Sequence, residues 1–378
     1  MTATTRPELG SVNEPTLYVA FELSAKQWKL AMTAGGGVDP WVRTVPSGSW
    51  AHVTRAIAQA RARFGLPAVG AVVSCYEAGR DGFWIHRALT HRGLVNRVVD
   101  SASIEVNRRA RRAKTDRIDA VKLVRMLVRA CSGERDVWRE VRVPLVTDEA
   151  ARQVSRERTD LTQEQTRLLN QMRSWLVTWG CALPARRVGT WWTTLVDGAA
   201  GTPLPAEVQA RLARAAARWA VLETQVTELD AQQQAATAAA PAESPLGRLV
   251  LLKGVATTGA SVLLAEGLVW RAFRNRREIG GILGFAPTPY DSGESQHEQG
   301  ISRAGNARLQ AVSIQLAWNG VRWQPLSALS LWFRNRWAGG GKRGRRIGIV
   351  AVARKLVIAL WRYATTGVVP IGAILKAV

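Results

Sequence analysis

The stretch Lys114-Thr115-Asp116-Arg117-Ile118-Asp119-Ala120 holds two carboxylates three residues apart. On a helix that spacing turns both to one face, and neighbouring carboxylates repel unless a cation lies between them. A helix N-terminus also collects acids to satisfy its dipole, so the spacing alone leaves both readings open. Glu22 and Glu77 bear on the choice: each follows an apolar run of strand character, in Phe21-Glu22-Leu23-Ser24 and Cys75-Tyr76-Glu77-Ala78-Gly79. Open sheets place ligand sites at strand ends. Four oxygen donors of this kind suit Mg²⁺ or Mn²⁺. Two such ions, about 3.5–4 Å apart, stabilise both the attacking and the leaving oxygen of a phosphodiester displacement.

The surroundings are basic. Arg108, Arg109, Arg111, Arg112 and Lys114 precede the acidic pair, and Gly339 to Arg346 reads Gly-Gly-Gly-Lys-Arg-Gly-Arg-Arg, with Lys342, Arg343, Arg345 and Arg346 in a glycine-rich loop. Both stretches suit a phosphate backbone, and both also suit a solvated basic loop. The whole chain has 52 Lys and Arg against 29 Asp and Glu, a formal charge of +23. An arginine-rich genome explains many arginines but not so few acids, so a polyanion partner is favoured. Hydrophobic content of 47% rules out a disordered chain. Cys75, Cys131 and Cys181 form no zinc spacing and fit a reducing cytosol. Met1 to Pro15 lacks the apolar core of a signal peptide, and no apolar run is long enough for a bilayer, so a cytoplasmic, nucleoid-associated protein without membrane partners is expected.

Three segments must position these groups. Residues 1–135 read as mixed α/β: strands at Leu17–Leu23, Trp28–Thr33 and Trp41–Val45, a helix at Trp50–Phe64, a strand at Ala68–Cys75, a helix at Phe83–His91, a strand at Leu94–Val99 and a helix at Thr115–Ala130. Three strands, a helix, then alternating strands and helices is the order of an RNase H-like domain and of many other α/β folds; in an RNase H-like layout the strand ends and the Asp116 helix converge. Residues 145–240 are helical. Val154, Leu161, Leu168, Met172, Trp175 and Trp179 recur at helical intervals; Val208 to Leu229 forms a second stripe after Pro205. An antiparallel coiled-coil hairpin is expected, with Ala235 to Pro245 as a linker. Residues 246–378 read as short helices joined by basic loops.

Ser292 lies among Pro287, Pro289, Asp291 and Gly293, the composition of an ordinary turn. Gly300 to Asn306 follows as a second flexible loop, carrying Arg303, which suits a phosphate. Leu251 to Ala260 reads either as a helix-hairpin-helix offering backbone N–H groups to DNA or as a plain helical pair. Among sixteen tryptophans, Trp175, Trp179 and Trp219 lie on the helical seam; Trp323, Trp332 and Trp337 lie among arginines, suited to core packing or to stacking on unpaired bases.

Taken together, Val19-Ala20-Phe21-Glu22-Leu23-Ser24, Glu77-Ala78-Gly79 and Lys114 to Ala120 resemble the DEDD domain, RuvC-like in fold, of the insertion sequence 110 family of transposases. Pro287 to Gly293 and Gly300 to Leu309 resemble that family's C-terminal transposase domain. The resemblance implies a catalytic serine at Ser292 that forms a phosphoserine link to DNA, beside metal-binding Glu22, Glu77, Asp116 and Asp119. It also implies target and donor DNA and a structured non-coding guide RNA as partners. The family's first acid is usually Asp, and Glu22 departs from it. A homodimer or homotetramer is expected, with Ser292 of one subunit acting beside the acids of another. Two other readings remain: a RuvC-like structure-specific nuclease with no covalent intermediate, and a decayed DNA- or RNA-binding protein.

Overall fold

The computed structural model describes residues 15–104, 116–268, 271, 273, 275–292, 295–302, 305–337 and 339–376. The chain divides into two compact units, Met1–Val143 and Pro144–Val378. Its architecture is mixed α/β and mostly helical.

The first unit is built on a five-stranded mixed sheet in the order β3-β2-β1-β4-β5. The strands are β1 (Leu17–Glu22), β2 (Gln27–Thr33), β3 (Trp41–Pro46), β4 (Val72–Glu77) and β5 (Val95–Val99). β1 pairs antiparallel with β2 and parallel with β4, so it is the central strand. Both faces of that strand are covered, which is why it reads as a continuous apolar run. Alternation along the strands sorts their side chains to two faces. Leu17, Val19, Phe21, Trp28, Leu30, Met32 and Tyr76 join α1 (Trp50–Arg63) and α2 (Trp84–His91) in one core. Trp28, Trp50 and Trp84 make an aromatic cluster there, with ring centroids 5.5–6.0 Å apart. The opposite face is lined by Ala20, Ala31, Val73 and Cys75 and covered by α3 (Asp116–Cys131) through Ala120, Leu123, Val124 and Leu127. The two alanines let the helix approach closely, and each fully buried leucine contributes about 1.5–3 kcal/mol.

The element order matches the sequence reading. The fourth strand is displaced, however, starting at Val72 and ending on Glu77. Ala68 to Gly70 lies outside it; the Arg61 guanidinium donates there to the carbonyls of Pro67 (2.7 Å) and Gly70 (2.5 Å).

The second unit begins with two long helices, α4 (Val146–Val177) and α5 (Ala206–Ala238). They run antiparallel side by side: Leu168, Met172 and Leu176 pack with Leu212 and Ala215 near the connecting segment, and Arg158 pairs with Asp230 at 2.5 Å farther along. Helix α5 continues through Ala238, so the alanine-rich start of the expected linker is helical instead; alanine's high helix propensity explains this.

The remaining elements are α6 (Pro245–Leu251), α7 (Thr257–Leu263), a π-helical turn at Leu264–Leu268, α8 (Arg276–Ile282), β6 (Pro287–Ser292), β7 (Ser295–Ile301), α9 (Ala307–Trp323), α10 (Ala328–Trp337) and α11 (Gly341–Thr366). Leu249, Leu263, Ile279, Leu309, Leu316, Val357 and Leu360 belong to its core. Two expectations are corrected. Pro287–Ser292 and Gly300–Ile301 are not loops but parts of a β-hairpin, β6 pairing antiparallel with β7. Prolines are tolerated on edge strands and at bulges, and the register shifts between Pro287 and Pro289. Helix α11 also starts at Gly341 rather than Ile347, so the Lys-Arg-Gly-Arg-Arg run is helical. It ends at Gly367 in the left-handed conformation (φ 77°), as a C-terminal glycine allows.

Candidate active site and nucleic-acid surface

Glu22 is the last residue of β1 and Glu77 the last of β4. The parallel register pairs Phe21 with Tyr76, and one further step sets Glu22 beside Glu77, on strands about 4.8 Å apart. Alternation puts both on the face shared by Ala20, Cys75 and α3. Asp116 is the first residue of α3 and Asp119 lies in its first turn. Glu22 and Asp119 are half-buried, Glu77 and Asp116 exposed. The sheet and the helix packed on it thus gather all four acids at one end of one face.

A lysine from the neighbouring strand reaches one of these acids. Lys29 is the register partner of Glu22 on β2, and its Nζ donates to Asp116 Oδ2 at 2.9 Å. The sequence reading missed Lys29, although strand alternation from Trp28, which is buried on the opposite face, could have identified it. Among the described residues, no three His, Cys, Asp or Glu side chains are grouped closely enough to hold one metal ion. In kind the donors suit a hard divalent cation, all being carboxylate oxygens. Cys75 does not add to them: burial pushes its thiol well above the ordinary value.

Arg108, Arg109, Arg111, Arg112 and Lys114, together with Arg303, lie outside the described residues. Lys342, Arg343, Arg345 and Arg346 are exposed in the first two turns of α11. Cations at a helix N-terminus oppose its dipole, so this arrangement is suited to an anion such as a phosphate backbone. Trp332 and Trp337 pack against the C-terminal core, and Trp323 is 48% exposed.

The turn between α6 and α7 is closed by the chain's own C-terminal segment. Lys253 N–H donates to the Ile374 carbonyl (3.0 Å), and Lys376 Nζ donates to the carbonyls of Val250 (2.6 Å) and Val255 (2.9 Å). In this arrangement the Lys253 N–H is engaged within the chain.

Ser292 ends β6, paired across the hairpin with Ser295. The hairpin base is tied down by Ser302 N–H to Ala286 O (2.9 Å) and by Asn306 N–H to Ile282 O (2.9 Å). The Asn306 side chain caps α9, accepting from the N–H groups of Arg308 (2.9 Å) and Leu309 (3.1 Å). Its Nδ2 donates to Glu266 Oε2 at 2.9 Å. Glu266, 1% exposed, also accepts a two-point bond from Arg156 of α4, at 2.7 and 2.9 Å. Burial pushes the Glu266 carboxyl up, but the Arg156 and Asn306 bonds outweigh it and hold it below the usual carboxylate range. Sequence reasoning missed this network. Its one local signal was Asn306 directly before a helical apolar pattern, an N-cap signature.

The comparisons give the class first. Residues 247–330, the segment containing Ser292 and Asn306, match the family model described as Transposase IS116/IS110/IS902 family. The protein y4rJ of Sinorhizobium fredii (strain NBRC 101917 / NGR234), which carries a transposase name, is 39% identical over all of this chain and 99% of its own length. A second S. fredii protein with a transposase name, y4qE, is 27% identical over 71% of this chain and 62% of its own. The transposase for insertion sequence element IS1328 of Yersinia enterocolitica is 25% identical over 57% and 62%. The chain belongs to the IS116/IS110/IS902 family of transposases. A transposase handles DNA, and no described helix is long and apolar enough to cross a membrane.

Proposed function

We propose that the chain cleaves and exchanges DNA strands through a phosphoserine intermediate. In this reading the first unit is an RNase H-like, RuvC-like module carrying Glu22, Glu77, Asp116 and Asp119, and Ser292 is the nucleophile. The observation that carries it is the gathering of those four acids on one sheet face, within a chain whose family is transposases. Ser292 Oγ attacks phosphorus, one P–O bond to deoxyribose breaks, the serine proton is given up, and the leaving oxygen takes a proton. A hydroxyl from a second strand then reverses the step on the phosphoserine. The ester bond energy is kept, so no nucleotide cofactor is consumed. Mg²⁺ or Mn²⁺ held by the four acids would supply Lewis-acid stabilisation of the charge that develops on oxygen.

The chain's own residues do the rest. The strand ends fix two carboxylates, α3 supplies two more, and the α11 cations bind phosphates. The charge of +23 and the exposed Trp323 support target and donor DNA as partners, with a structured guide RNA as a further one. The test is covalent trapping: a nicked or phosphorothiolate DNA substrate should leave DNA attached at Ser292, located by peptide mass spectrometry. Metal-dependent cutting with no adduct would instead favour a nuclease that uses the acids alone.

A further inference from the structure

The strongest unassigned feature is the buried Glu266 carboxylate, which joins three elements of the second unit. It lies in the π-helical turn at Leu264–Leu268. It is gripped from α4 by the Arg156 fork and from the hairpin exit by Asn306. Arg308, two residues on, reaches the same helix, donating to Asp160 at 3.0 Å. Asn306 is fixed on both sides of its amide: the oxygen caps α9 and the nitrogen serves Glu266. The backbone here has no slack. A Cβ on Gly305 would meet Gly284 N at 2.4 Å and Ile282 O at 2.6 Å. The segments entering and leaving the β6–β7 hairpin are therefore locked together directly beside Asn306.

We propose that Glu266, held between Arg156 and Asn306, is a positioning residue that fixes the β6–β7 hairpin carrying Ser292 to helix α4. The inference rests on the reading of Ser292 as the nucleophile. In chemical terms, the carboxylate takes two bonds from one guanidinium and one from an amide that only asparagine can supply while capping α9. A shift of α4 is passed through this bridge to the hairpin base. Ser302 N–H and Asn306 N–H are the bonds that would carry it onward.

Asn306→Asp is the sharp variant. It keeps the helix cap but replaces the donor with a second carboxylate facing buried Glu266. Glu266→Gln in the same chain restores a donor–acceptor match, with the polarity reversed. Two measurements are made on the full-length protein. One is hydrogen–deuterium exchange of peptides covering β6 and β7. The other is the yield of rejoined donor junctions from a plasmid bearing the insertion element, with Ser292→Ala run alongside. Asn306→Asp should speed exchange in the hairpin and cut junctions, each at least about tenfold, and the double variant should bring both back to within about threefold of wild type. Arg156→Lys keeps the charge but loses the fork and should give an intermediate effect even where Asn306→Asp fails to fold. Normal exchange in Asn306→Asp and Arg156→Lys overturns the proposal. So does loosened exchange with full junction yield while Ser292→Ala yields none. Full junction yield from Ser292→Ala removes the underlying serine reading, whatever the exchange data show.

Discussion

Lys29 on β2 and Asp116 at the start of α3, 87 residues apart, meet at 2.9 Å across the end of the central sheet. Lys29 is also the register partner of Glu22. A lysine thus ties the first residue of α3 to the strand end that carries Glu22.

Removing that lysine should favour the metal. Lys29→Met deletes a positive charge beside the carboxylates, and the pair is exposed enough at Asp116 (61%) for its loss to cost about 1 kcal/mol or less of stability. Mn²⁺ or Mg²⁺ affinity, measured by calorimetric titration of the full chain, should rise by about tenfold, equivalent to about 1.4 kcal/mol. Unchanged or weaker binding would mean that Lys29 does not compete with a cation there.

The acids themselves should be needed singly. Asp116→Asn, Asp119→Asn and Glu77→Gln each remove a charge that a hard cation uses, so each should weaken binding beyond the roughly 10–100-fold typical of an outer-shell loss. Metal-dependent cleavage should fall with it. Glu22→Asp is diagnostic, because the shorter side chain retracts the oxygen by one methylene. A shift in Mg²⁺ against Mn²⁺ preference is expected. A harmless Glu22→Ala would take Glu22 off the ligand set.

Ser292→Ala should abolish strand transfer by about a thousandfold or more, as loss of a nucleophile does elsewhere. DNA retention on a gel-shift assay should stay near wild type, since only a hydroxyl is removed. Normal recombination by the variant would end the serine mechanism.

The buried carboxylate sets a pH dependence. Glu266 has a folded-state pKa held below its ordinary value of 4.5. Its contribution to stability is therefore full above that value and lost as pH falls through the lower, folded one. Glu266→Ala removes the acceptor of the Arg156 and Asn306 bonds but leaves a guanidinium that is 37% exposed to water, and should cost about 1.5–3 kcal/mol near neutrality. In urea melts followed from pH 7 downward, the wild-type advantage should shrink below about pH 4.5. An advantage that stays constant to pH 3 would contradict this.

Assembly is testable by complementation. If Ser292 of one subunit acts beside the acids of another, Ser292→Ala and Asp116→Asn chains, each inactive alone, should regain partial activity when mixed. A verified hetero-oligomer with no recovery would mean that each chain completes its own site.

The sequence by itself determined the strand and helix order of the first unit, because period-two and helical apolar patterns are local and survive without neighbours. It also determined which acids to examine, since Glu22 and Glu77 end apolar runs and Asp116 and Asp119 share one helical turn. Tertiary structure decided the rest. Pro287 to Ser292 and Gly300 to Ile301 read as loop because their prolines and glycines are turn formers, yet cross-strand pairing makes them parts of a hairpin. The run from Lys342 to Arg346 reads as a loop for its charge and glycines, yet it forms the start of a helix anchored by Ile349, Val352 and Ala353 in the core. Lys29 meets Asp116, and Arg156 meets Glu266 from 110 residues away, only because strand register and helix packing bring them together. Such pairings leave no local pattern to read: each depends on which face a distant residue presents, and packing alone sets that.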